Sequence, residues 1–237
     1  MNRIESLDGG NLIEAAAVCV VGGAFGAAVG APFGLAVPLG AVAAANGAIC
    51  GWRRVYDWSC STGFVAFTLD STWSLPMTAG ALASQVIGVV RGKPGFDASL
   101  SRRSNRQVFE RGFVPRSGFA ITVGNVISGA GDTSQPRRRR LVTDHEDVHV
   151  WQARWFGPLF PVLYGAWLLG GGAVGVVVWA VHRRSERFTK VVESCAYYLN
   201  PFEWWAYSRD DHWPPSGKVR GLGWRNPMVR PRHHHPN

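Results

Sequence analysis

His145 and His149 stand four residues apart in His145-Glu146-Asp147-Val148-His149. On a helix that spacing stacks two imidazoles one turn above the other on a single face. Two imidazoles so placed are suited to share one tetrahedral zinc ion. Glu146 lies about 100° round the helix from His145, beside such a metal, where it can take a proton from zinc-activated water. Gln152 comes seven residues after His145 and returns to the ligand face, placed to hydrogen-bond a ligand imidazole from behind.

A zinc that activates water takes three protein ligands and leaves one position open. In the pattern His-Glu-x-x-His-x-x-Gly-x-x-His a third histidine would fall at position 155, which is Trp155. A glutamate from a later helix is the remaining common donor, and there are two candidates. Glu193 lies in Glu193-Ser194-Cys195-Ala196-Tyr197, and Glu203 in Asn200-Pro201-Phe202-Glu203-Trp204-Trp205-Ala206-Tyr207; both read Glu-x-x-Ala-Tyr. Asn200-Pro201 is a clean start for a helix carrying Glu203.

Taken together, His145-Glu146-x-x-His149-Val150-x-Gln152 and the later Asn200-Pro201-Phe202-Glu203-x-x-Ala206-Tyr207 resemble the gluzincin class of zinc metallopeptidases over residues 143–208. The resemblance implies a zincin-like helical core and a peptide or protein substrate. It also implies Zn2+ held by His145, His149 and Glu203, with Glu193 as the alternative third ligand and Glu146 as general base. Gluzincins commonly carry an aspartate after Glu-x-x-Ala, where this chain has Tyr207. Tyr197, Tyr198, Tyr207 and His182 are nearby donors for an oxyanion formed during hydrolysis.

The rest of the chain must position these groups, and its composition points to a membrane. Of 237 residues, 46% are hydrophobic and only 17% charged, against about 25% charged in ordinary soluble domains. From Ala15 to Gly51 there is no charged residue, with glycines at 22, 26 and 30. That is helical spacing for a close helix–helix face, so the run predicts a helical hairpin broken near Pro32 and Pro38. The net charge of +9 gathers in clusters such as Arg137–Arg140, which suit anionic lipid headgroups. No nucleic-acid motif accompanies them, and the aromatics do not alternate with the basic residues. The expected partner is therefore the lipid bilayer, and a specific nucleic-acid partner is not expected. The four cysteines form no Cys-x-x-Cys pair and read as small buried hydrophobes.

Between these parts, 63–69, 106–114 and 119–123 are rich in aromatic and β-branched residues bounded by turn formers, which predicts short strands. Ala79 to Val90 has helical character, and 129–140 reads as a loop. Thr143 or Asp144 is expected to cap the helix bearing the two histidines. Four segments follow: a polar start and apolar membrane-associated helices over 1–51, a β-rich region over 52–140, the His-Glu-x-x-His region over 141–208, and a flexible basic tail over 209–237. The fold class is α+β, with an N-terminal apolar helical hairpin, a small antiparallel sheet and a helical core that includes an apolar re-entrant hairpin.

The re-entrant element follows from topology. Residues 158–181 are uncharged, and a helix of that length spans about 36 Å, enough to cross a bilayer. One crossing would put His145 and Glu203 on opposite sides. A shared metal therefore requires the chain to turn back, and Gly170-Gly171-Gly172 is the expected place. The competing expectation is a non-catalytic membrane protein, with a structural zinc site or with no metal.

Overall fold

A computed structural model of the protein describes residues 9–92, 95–114, 118–181, 187–210, 215 and 228. The polar start before residue 9, His182-Arg183-Arg184 and most of the basic tail, including His233 to His235, lie outside the described residues. The chain divides into two compact units, one of residues 1–139 with 153–158, the other of 140–152 with 159–237.

In the first unit, glycine decides how the leading helices meet. Helix α1 (Gly9–Gly30) and helix α2 (Ala36–Trp52) form the expected apolar hairpin. A methyl group added at Gly26 would lie 2.5 Å from the Leu39 carbonyl oxygen, and one at Gly47 would lie 2.5 Å from that of Val18. Backbones this close tolerate no side chain. The reversal is a 3-10 turn at Ala31–Phe33 closed by Gly34 in the left-handed region (φ 69), where glycine carries no steric cost. Pro38 does not break the chain. It falls in the first turn of α2, where its missing N–H is harmless.

Residues 63–69 are helical, not extended as their composition suggested. They belong to α3 (Ser61–Ser71), which buries Gly63, Ala66, Phe67, Asp70 and Ser71. Those positions repeat at helical intervals, and a short apolar run does not reveal its period by composition. Helix α4 (Leu75–Val90) follows at an angle of 86° and covers the segment expected to be helical. A short α5 (Ala98–Ser101) precedes β1 (Gln107–Phe109), β2 (Ile121–Val123) and β3 (Val126–Ser128).

The sheet is mixed rather than antiparallel. Its order is β1-β3-β2, with β2 antiparallel to β3 and β1 parallel to it. The β2–β3 hairpin turns on Gly124 (φ 56), as a two-residue connection requires. The longer connection from β1 returns the chain to the far side of β3. Pro136–Arg140 forms α6, so the end of the expected loop is helical.

The first unit also holds a buried ion pair. Arg154 donates from Nε and Nη2 to the two carboxylate oxygens of Asp70, each at 2.9 Å. Tyr56 and Asn125 donate to the same carboxylate at 3.0 and 3.4 Å.

The second unit contains α8 (Leu159–Val181), α9 (Phe188–Glu193) and α10 (Pro201–Arg209). Helix α8 runs unbroken through Gly170-Gly171-Gly172, which corrects the expected re-entrant turn there. The chain instead comes back along α8 through α9 and a π-helical stretch, Ser194–Tyr198. The glycines form the strip on which this arm lies: a methyl at Gly171 would stand 2.5 Å from the Cys195 carbonyl oxygen, and one at Gly175 2.8 Å from Val192 Cα. Trp167 Nε1 donates to the same Cys195 oxygen at 3.3 Å. The segments Asn11–Phe33 and Leu159–Val181 are long and apolar enough to cross a membrane, and the bent α3–α4 pair qualifies if counted as one span.

Candidate metal centre

The helix bearing the two histidines begins earlier than expected. Its run starts at Pro136, so Thr143 and Asp144 lie inside it rather than capping it. It passes through a π-helical stretch, Leu141–Glu146, and continues as α7 (Asp147–Phe156). A π turn is rare and recurs at functional sites. His145 and Glu146 lie in it, and His149 in the first turn of α7. The imidazole centroids are 5.0 Å apart with the rings at 77°.

The third group arrives on α10. Asn200 caps that helix, its side chain accepting from the Phe202 N–H at 3.1 Å, with Pro201 at the first position. Glu203 sits in the first turn. Its Oε2 lies 3.5 Å from His145 Nε2, and its Oε1 3.4 Å from His149 Nε2. The candidate ligand atoms of the three residues all fall within 4.8 Å of one another, a group that could hold a metal ion. Glu193, the alternative, is exposed and is not in that group.

These separations test whether zinc fits. Bonds of about 2.0–2.1 Å to nitrogen and oxygen in a tetrahedron set neighbouring ligand atoms roughly 3.4 Å apart. The 3.5 Å from His145 Nε2 to Glu203 Oε2 matches such an edge, while His149 Nε2 stands 3.4 Å from the other carboxylate oxygen.

What lies behind the imidazoles fits the same use. His149 Nδ1 is 2.8 Å from Gln152 Oε1, while Gln152 Nε2 donates to the Phe202 carbonyl at 3.1 Å. The second bond assigns the amide orientation, so its oxygen accepts the Nδ1 proton and leaves the Nε2 lone pair toward Glu203. Gln152 is thus placed as its spacing suggested. His145 Nδ1 has no hydrogen-bond partner among the described residues and faces Asp210 Oδ2 at 3.8 Å. Tyr207 packs its ring against His145, with centroids 4.4 Å apart.

The electrostatics favour positive charge at the centre. Burial opposes a charge on His149, but the adjacent Glu203 carboxylate overrides it and holds the imidazole up at about 9. Burial likewise opposes charge on Glu203, yet the two imidazoles hold its carboxyl well below the usual carboxylate range. Glu146 is buried and its negative charge also acts on His149. Burial pushes the Tyr197 and Tyr207 hydroxyls up, with Glu203 adding to it, so both stay protonated donors. His182 lies outside the described residues.

Two residues of the site escaped the sequence. Asp210 follows Glu203 by seven residues, which is two helical turns and the same face, and that spacing was a usable signal. Tyr164 donates its hydroxyl to Glu203 Oε1 at 2.7 Å. It is the one hydroxyl-bearing residue in the apolar run 158–181.

Comparison with family models, with characterised proteins and with solved structures finds no match for this chain.

Proposed function

We propose that the protein is a membrane-associated, zinc-dependent peptidase. The observation that carries this reading is the convergence of His145 Nε2, His149 Nε2 and the Glu203 carboxylate at separations of 3.4 and 3.5 Å. His145, His149 and Glu203 hold the metal, and Gln152 keeps His149 in the tautomer whose Nε2 is free to bind. Zinc, when bound there, supplies the Lewis acidity that makes water a nucleophile near neutral pH. Glu146 accepts the proton that the attacking water gives up and passes it to the leaving amine. Tyr197 and Tyr207 supply protonated hydroxyls within the electrostatic reach of Glu203. The apolar helices α1 and α8 attach the molecule to the bilayer, whose hydrocarbon they match in length.

One observation favours a second reading, in which zinc only ties helices together. The side chains of His145, His149 and Glu203 are only 3%, 9% and 4% exposed, and structural zinc sites are closed.

Zinc analysis of the detergent-purified protein, paired with peptide hydrolysis by the Glu146→Gln variant, separates these readings. The peptidase reading expects about one zinc per chain in both proteins, with hydrolysis lowered in the variant by at least about 100-fold. Stoichiometric zinc with no hydrolysis by wild type decides for the structural site. Wild-type protein without zinc defeats both.

A further inference from the structure

We propose that Tyr164 is a positioning residue that makes Glu203 a one-oxygen ligand and so keeps one metal position open. This rests on the metal reading of the His145, His149 and Glu203 group and specifies how its acid binds.

The two oxygens of Glu203 are not equivalent. Oε1 accepts the Tyr164 hydroxyl at 2.7 Å, the length of a charge-assisted O–H···O bond, and also stands 3.4 Å from His149 Nε2. Oε2 is buried, has no hydrogen-bond partner among the described residues, and stands 3.5 Å from His145 Nε2. A buried carboxylate oxygen left bare is costly unless a cation meets it. The hydroxyl therefore occupies one oxygen and leaves the other for the metal. Two nitrogens and one oxygen fill three positions of a tetrahedron, and the fourth remains for water. Were both oxygens to chelate, that place would be taken or crowded.

The hydroxyl is held firmly enough for this task. The Tyr164 ring stacks on Phe202 (centroids 6.1 Å apart, rings at 27°) and packs against Phe160 at 5.9 Å. Phe202 immediately precedes Glu203, so the residue that clamps the ring moves with the acid it orients. A tyrosine in a strip otherwise free of hydroxyls has no local backbone cap to serve. Its hydroxyl donates to Glu203 instead.

Tyr164→Phe keeps the ring and its packing and removes only the hydroxyl. The probe is Co2+ in place of zinc, because its visible absorption is intense in four-coordinate sites and weakens severalfold when a further oxygen binds. Full-length protein in detergent is compared as wild type, Tyr164→Phe and Trp167→Phe. The last removes the bond to the Cys195 carbonyl one turn further along α8 without touching Glu203. The proposal expects weakened Co2+ absorption and an approximately tenfold or greater loss of zinc affinity in Tyr164→Phe alone. Unchanged absorption and affinity in Tyr164→Phe overturn it. Equal changes in both variants also overturn it, since they would report the seating of α8. Wild type that takes up no Co2+ defeats the metal reading itself, a failure distinct from either.

Discussion

Two buried polar clusters among the described residues are built differently. Around Asp70, donors meet acceptors. Arg154 engages both carboxylate oxygens at 2.9 Å, and Tyr56 and Asn125 add further donors. Around Glu203 the arrangement differs: Oε1 accepts from Tyr164 at 2.7 Å, Oε2 has no hydrogen-bond partner among the described residues, and the two imidazole Nε2 atoms stand 3.4 and 3.5 Å from the carboxylate. A closed set of donors and acceptors stabilises a fold. Lone pairs converging in a buried place do so only when a cation stands among them. Burial alone therefore does not distinguish a structural cluster from a candidate metal cluster; imidazole and carboxylate ligand atoms gathered within 4.8 Å of one another do.

The contrast can be broken by mutation. Asp70→Ala strands the Arg154 guanidinium in the interior and is expected to cost about 3–5 kcal/mol in denaturant unfolding, with or without zinc. A loss well under 1 kcal/mol would show that the pair is dispensable. Zinc at about 100 times its dissociation constant should stabilise wild type by roughly 2.7 kcal/mol and His149→Ala not at all. Equal stabilisation of the two would place the ion elsewhere. The smallest expected effects sharpen the comparison by probing the groups behind the ligands. Gln152→Ala and Asp210→Asn should each weaken zinc binding by about 10- to 100-fold in a chelator competition. If Asp210→Asn is silent, the 3.8 Å approach to His145 is packing alone.

Much of the candidate metal cluster was legible because its logic is local. A four-residue spacing fixes two imidazoles on one helix, and Asn200-Pro201 marks the start of the helix that carries Glu203. The closed cluster was not legible. Asp70 and Arg154 are 84 residues apart, and a lone charge in an apolar run demands a partner without naming it. Glycine misled in one place and informed in another. At 22, 26 and 30 its spacing announced a packing face, and α1 and α2 pair as expected. At 170–172 three in a row suggested a break, yet α8 continues and the returning arm lies on it. Sequence separates these two uses of glycine poorly, because both depend on a missing Cβ. Residues 63–69 failed for another reason: Phe, Val and Thr favour strands only where a sheet accepts them, and here Gly63, Ala66, Phe67 and Asp70 make a helical seam.

The arm laid along α8 has a consequence for how that helix can meet lipid. Glu193 is exposed and follows Val192, which rests against Gly175, well inside the apolar length. Immersing that level in hydrocarbon would cost roughly 2.5–3.5 kcal/mol for the carboxylate, while Leu169, Val174 and Val177 on α8 are exposed and lose nothing there. The helix and its companion are thus lopsided, apolar round one flank and carrying an exposed acidic residue round the other. Were α8 to enter a bilayer, the boundary between water and lipid would run around its circumference as well as along its axis.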